Sequence, residues 1–129
     1  IYAAQRAAWP GSLALAGYGL ADSLARMAQI ALAAADAAGA ERLDLFGHSM
    51  GGRVALEVVR IAPQRVRRLA LVSTGVQPPR EGEAASRAAL QAIGHTQGFA
   101  ALVDAWLPPM VADQARADPA IYAPMRQMC

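Results

Sequence analysis

Residues 47–51 read Gly-His-Ser-Met-Gly, and another glycine, Gly52, follows. Ser49 in this setting is a candidate nucleophile. The G-x-S-x-G spacing places a serine on a sharp strand-to-helix turn, which thrusts its hydroxyl away from the sheet edge. Such a turn brings two backbones close together, so its neighbours must be small. Gly47 and Gly51 are expected to meet that need, with Gly52 adding room. Met50 falls at the start of the following helix. Its backbone N–H is the candidate oxyanion donor, helped by the helix dipole. The pentapeptide alone is a weak signal, because glycine-rich β-α turns also carry serines. Its meaning depends on a strand before it and a helix after it.

Both elements are legible. Glu41 to Phe46 reads as a short strand, with Leu43, Leu45 and Phe46 supplying the apolar content. Residues 50 to 62 read as a helix ended by Pro63. Val66 to Ser73 is a near-continuous apolar run, as expected of a parallel strand covered on both faces. The stretch 41–73 is therefore β-α-β. Before it, Leu20 to Ala38 is helical: Leu24, Met27, Ala28, Ala31, Ala35 and Ala38 recur at three- and four-residue steps, and Gly39 supplies a stop. Residues 1 to 19 read as irregular, with a turn at Trp9-Pro10-Gly11-Ser12. After Gly75 comes a loop stiffened by Pro78 and Pro79. From Ala84 to Met128 only helices and turns are expected, with Asp118 capping a helix that opens on Pro119. The chain is accordingly divided into an α/β part, 1–77, and a helical part, 78–129.

A nucleophilic serine needs a histidine base and an orienting carboxylate. The sequence has two histidines. His48 adjoins Ser49 on a tight turn and points elsewhere, so it is read as packing or hydrogen-bonding beside the elbow, within reach of a substrate. His95 follows Gly94 and reads as a polar residue at a helix break. The carboxylates after Ser49 are Glu57, Glu81, Glu83, Asp104, Asp113 and Asp118. Glu57 sits two turns into the elbow helix, Glu81 and Glu83 in a charged loop, and the others in helices. None follows a third strand, and neither acid nor base is assigned.

Composition narrows the remaining classes. The chain has 129 residues, 55% hydrophobic and 17% charged, with a net charge of +2. That is globular rather than disordered. Every basic residue other than the histidines is an arginine. Arg65, Arg67 and Arg68 cluster, but read as a solvated edge, and aromatics at 5% are too sparse for a base-stacking surface. No nucleic-acid partner is expected. The single cysteine, Cys129, allows no internal disulfide, and no signal segment or membrane-length apolar stretch is seen. A cytoplasmic protein with no membrane partner is expected. Neither histidine has a second ligand at metal-binding spacing, and residues 47–52 lack the dinucleotide pattern, so no metal and no cofactor are expected.

The segment "RLDLFGHSMGGRVALEVVRIAPQRVRRLALVSTG" resembles the core of the α/β-hydrolase superfamily, and the resemblance extends from about Tyr18 to Gly75. "GFAALVDAWLPPM" more loosely resembles the helical cap of small esterase or enol-lactonase-like members. The resemblance implies that Ser49 is the catalytic nucleophile and that the Met50 N–H belongs to the oxyanion hole. It implies a small acyl substrate, with His48, Trp106, Leu107 and Met110 as pocket candidates beside the bland reading of core packing. Serine at the elbow argues against the dehalogenase and epoxide-hydrolase branches, which carry aspartate there. In that family the acid and then the histidine follow on later sheet loops, and a second oxyanion donor comes from an earlier loop, of which Pro10-Gly11-Ser12 is only an echo. The expectation is a fragment: strands before Ile1, and further strands carrying Asp and His after Cys129, leaving these residues with little or no activity alone. Acyl transfer, C–C bond hydrolysis or perhydrolysis on the same fold, and a non-catalytic binding module, are the alternatives.

Overall fold

The computed structural model describes residues 3–15, 17–78 and 80–129, without the side chains of residues 3 and 4. Pro79, one of the two prolines expected to stiffen the loop, lies outside the described residues. The chain divides into two compact units, Ile1–Gln77 and Pro78–Cys129.

The first unit opens with a short helix, α1 (Ala3–Ala8). This corrects the irregular reading of residues 1–19. The segment AAQRAA consists of strong helix formers, and its shortness hid it. Trp9–Ser12 then turns, with the Ser12 N–H donating to the Trp9 carbonyl at 3.1 Å. Helix α2 spans Leu24–Ala37. It starts later than the apolar pattern indicated because Ser23 caps it, its hydroxyl accepting from the Arg26 N–H at 3.3 Å. Leu20 is left outside the helix and exposed. Gly39 ends α2 with φ +70°, and the Ala40 N–H reaches back to the Ala35 carbonyl.

Strand β1 (Leu43–His48) leads directly into helix α3 (Met50–Ile61), and strand β2 (Val66–Val72) follows. The strands pair in parallel, from Leu43 with Val66 to His48 with Val72. Between the first two pairs the register slips, leaving Arg67 as an extra residue. The core of this unit is Ala28, Val54 and Val58, flanked by Met27, Ala31, Leu32, Leu45 and Val66. Alanines at 28 and 31 let α2 lie close to α3. Beyond Val66, every residue of β2 is exposed. Leu69, Leu71 and Val72 are accessible.

The basic cluster is divided among partners. Arg65 donates to Asp36 at 2.6 Å and to the carbonyls of Glu41 and Ala40, which ties the α2–β1 connection to the start of β2. Arg67 forks onto the Asp44 carboxylate, and this hydrogen bond holds Asp44 below the ordinary carboxylate range.

The second unit is helical: α4 (Glu83–Gln97), α5 (Phe99–Trp106), α6 (Asp113–Ala117) and α7 (Pro119–Met128). Its core is Val103, Leu107 and Val111, backed by Ala115, Tyr122 and Met125. Asp118 caps α7, accepting from the Ala120 N–H at 2.9 Å. Two readings are corrected. Glu83 belongs to the first turn of α4, not to a loop; its carboxylate reaches back to the Arg80 N–H at 3.1 Å and forward to Arg87. His95 lies inside α4, not at a break. Gly94 is helical, with Leu102 of α5 beside it, and the break comes at Gly98, with φ +90°. Among the described residues, no helix is long and apolar enough to cross a membrane.

Candidate active site

Ser49 occupies the single residue between β1 and α3, with φ 53° and ψ −120°. A residue with a Cβ pays steric strain at this positive φ, on the order of 1–3 kcal/mol, and holds it only when its surroundings over-determine it. The surroundings do so. The Ser49 N–H donates to the Val72 carbonyl at 2.9 Å, carrying the parallel ladder one residue past β1. The Ser49 carbonyl accepts from the Gly52 N–H at 3.0 Å and from the Thr74 hydroxyl at 2.6 Å. Both main-chain polar groups of Ser49 are thus tied down. Its side chain makes no capping bond to the helix it precedes, and the residue is exposed.

The glycines divide by geometry. A Cβ at Gly47 would lie 2.6 Å from the Gly51 carbonyl oxygen and 2.6 Å from the Gly52 Cα. A Cβ at Gly52 would lie 2.7 Å from the Cβ and Cγ2 of Thr74. Gly51 faces open space, with nothing within 4 Å of the place a Cβ would take. The required small residues are therefore Gly47 and Gly52. The expectation for Gly51 is corrected, because the crowded side of the helix start faces the turn after β2.

Met50, at the first position of α3, is 48% exposed. Its N–H is among the first of the helix, which have no intrahelical carbonyl to bond. His48 ends β1, half-buried, opposite Val72 in the ladder. Of the carboxylates in the first unit, Asp36, Asp44 and Glu57 are held by Arg65, Arg67 and Arg60. The Arg60 hydrogen bond keeps Glu57 below its usual range, so this carboxylate is an ion-pair partner one turn from Arg60 on α3.

The pocket candidates of the second unit separate by burial. Leu107 is 5% exposed and packs in the helical core. Trp106 and Met110 are 40% and 63% exposed. Asp104, Asp113 and Asp118 serve helix contacts, with Arg126, Arg116 and the α7 cap respectively. Among the described residues, no group of three or more His, Cys, Asp or Glu is gathered as a metal site.

Sequence reasoning missed Thr74. It lies 25 residues beyond Ser49, and only the parallel register brings it there; the short Ser-Thr-Gly run after an apolar strand was the available signal. The neighbouring Ser73 is the second non-glycine residue with positive φ, 49°, among the described residues.

No solved structure matches the chain. The family model of the alpha/beta hydrolase fold matches residues 8–113, a span that takes in both strands, the elbow and much of the helical unit. The chain belongs to the family of the α/β-hydrolase fold.

Proposed function

We propose that Ser49 is the nucleophile of a serine hydrolase acting on an ester, lactone or related acyl bond. The observation that carries this reading is the backbone of Ser49: φ 53° and ψ −120°, held by three hydrogen bonds, with a side chain not used to cap α3. A structural serine at a helix start would adopt relaxed extended geometry and cap the helix, as Ser23 does for α2. Ser49 does neither.

In the proposed reaction the Ser49 Oγ bonds to the acyl carbon as its proton passes to a base. The carbonyl electrons move onto oxygen, where the Met50 N–H stabilises them. The tetrahedral intermediate collapses, expelling the alcohol with a proton, and water then cleaves the acyl-enzyme by the same route. His48 is too close in sequence to serve as the base, and the carboxylates Asp36, Asp44 and Glu57 are engaged by arginines. No base or acid is assigned among the described residues of the first unit. The test is turnover of short-chain p-nitrophenyl esters and simple lactones by the full-length protein. Ser49→Ala is expected to lower kcat by at least about 10³-fold with the fold intact. A folded Ser49→Ala variant that keeps the parent rate would overturn the proposal.

A further inference from the structure

We infer that Thr74 is a positioning residue: its hydroxyl aims the Met50 N–H, the oxyanion donor, by holding the carbonyl of the same peptide unit. The inference rests on the role proposed for Ser49 and names a residue that the elbow motif does not contain.

Three observations converge on Thr74. The first is its hydrogen bond. The hydroxyl donates to the Ser49 carbonyl at 2.6 Å, the shorter of the two bonds that this oxygen accepts. The second is its packing. A Cβ at Gly52 would strike the Thr74 Cβ, Cγ2 and Oγ1 at 2.7–2.8 Å, so Thr74 lies directly against the first turn of α3. The third is the backbone that delivers it. Ser73 holds φ 49°, strained for a residue with a side chain, and turns the chain at the end of β2 just where Ser49 turns it at the end of β1. His48 and Val72 are partners in the ladder, so the two strained residues leave adjacent strands at the same level.

The consequence follows from peptide geometry. The peptide joining Ser49 to Met50 is planar and trans, so its carbonyl and its N–H point in opposite directions. Fixing the carbonyl toward Thr74 fixes the N–H on the far side. The Gly52 N–H alone offers a longer bond to that oxygen, at 3.0 Å, from within a helix end. Without the Thr74 hydroxyl the peptide gains freedom to rotate about its two flanking bonds, and the donor loses its aim. A donor matters to the charge that develops during attack far more than to the resting complex, so the loss falls on the chemical step.

The test uses a fluorophosphonate probe on the full-length protein, following the rate at saturating probe and the concentration giving half that rate. The serine oxygen bonds to phosphorus, fluoride leaves with the P–F electron pair, and the hydroxyl proton passes to the base; the phosphoryl oxygen takes the developing charge. Thr74→Val keeps the shape and removes the donor. It is expected to lower the maximal labelling rate by about 10-fold or more, short of the 10²–10³ that follows from deleting an oxyanion donor outright, with the half-saturating concentration unchanged. Thr74→Ser, which restores the hydroxyl, is expected to recover most of that rate. If Thr74→Val does not fold, Thr74→Ala takes its place beside Thr74→Ser. A folded Thr74→Val labelled at the parent rate overturns the inference and leaves Ser49's role standing. So does equal slowing by Thr74→Val and Thr74→Ser, which would show that a hydroxyl at position 74 does not set the rate. A parent protein that takes no label overturns the Ser49 reading and this inference with it.

Discussion

The two units of the chain store conformational strain differently. In Ile1–Gln77 two serines, Ser49 and Ser73, hold positive φ at the ends of neighbouring strands. In Pro78–Cys129 positive φ among the described residues falls only on Gly82 and Gly98, where α4 begins and ends. The helical unit turns its chain with glycine, at little cost. The α/β unit also turns on glycines, at 11, 19 and 39, but at its strand ends it uses residues that have side chains, and at Ser49 it holds the turn by a hydrogen bond to the Val72 carbonyl and one from the Thr74 hydroxyl, far along the chain. Strain that a glycine would relieve is kept where a hydroxyl is presented.

The contrast can be broken first at the glycines. Gly47→Ala is expected to cost about 3 kcal/mol or more, because its Cβ would meet backbone at 2.6 Å that cannot move without opening the elbow. Gly51→Ala, with open space around it, should be neutral or gain up to about 1 kcal/mol of helix propensity. In the helical unit, Gly94→Ala would meet only the Leu102 side chain, with Cδ2 nearest at 3.3 Å, and a rotamer change relieves that contact, so a small effect is expected. Chemical denaturation of the three variants reads the ordering. Equal costs at positions 47 and 51 would dissolve the distinction between them.

The cores come next. Val58 and Leu107 are 1% and 5% exposed in the first and second units respectively. Truncation of either to alanine is expected to cost about 2–3 kcal/mol. A Leu107→Ala variant of unchanged stability, by the same denaturation measurement, would contradict its place in the helical core.

Relief of strain should be smaller and opposite in sign. Ser49→Gly is expected to stabilise by about 1 kcal/mol while abolishing labelling by an active-site probe. Loss of stability instead would show that the serine side chain supports the fold and is not held there against strain.

The ion pairs give the smallest effect. Asp104, hydrogen-bonded to Arg126 of α7, is held below the ordinary carboxylate range, as Asp44 is by Arg67. A depressed folded-state value means that the contribution is complete above the unfolded-state value and is lost as pH falls through the folded-state one. Stability should therefore fall on acidification through the carboxylate range, and Asp104→Asn should flatten a small part of that slope in melts run between neutral and acidic pH. Both groups are solvent-exposed, so salt should mute the effect.

Much of the fold was legible because local chemistry and tertiary structure agree. Apolar runs gave both strands, Pro63 closed α3, and Asp118-Pro119 opened α7. Boundaries slipped where long-range pairing outweighs local pattern. β1 continues through Gly47 and His48 because Leu71 and Val72 pair with them, although a glycine argues for an end. α2 waits for Ser23 because a cap satisfies N–H groups that Leu20 could not. At the site, the strand-turn-helix setting of Ser49 was readable from spacing alone. The division of labour between Gly51 and Gly52 was not, since it depends on Thr74, which only the parallel register brings near.

The central claim is that Ser49 is a nucleophile, and covalent labelling tests it most directly. Full-length protein treated with a fluorophosphonate, digested and analysed by mass spectrometry should carry the adduct on the peptide containing Ser49. Ser49→Ala protein should carry none there. A folded, full-length protein that takes no label, or takes it at another serine with Ser49 unmodified, would contradict the account.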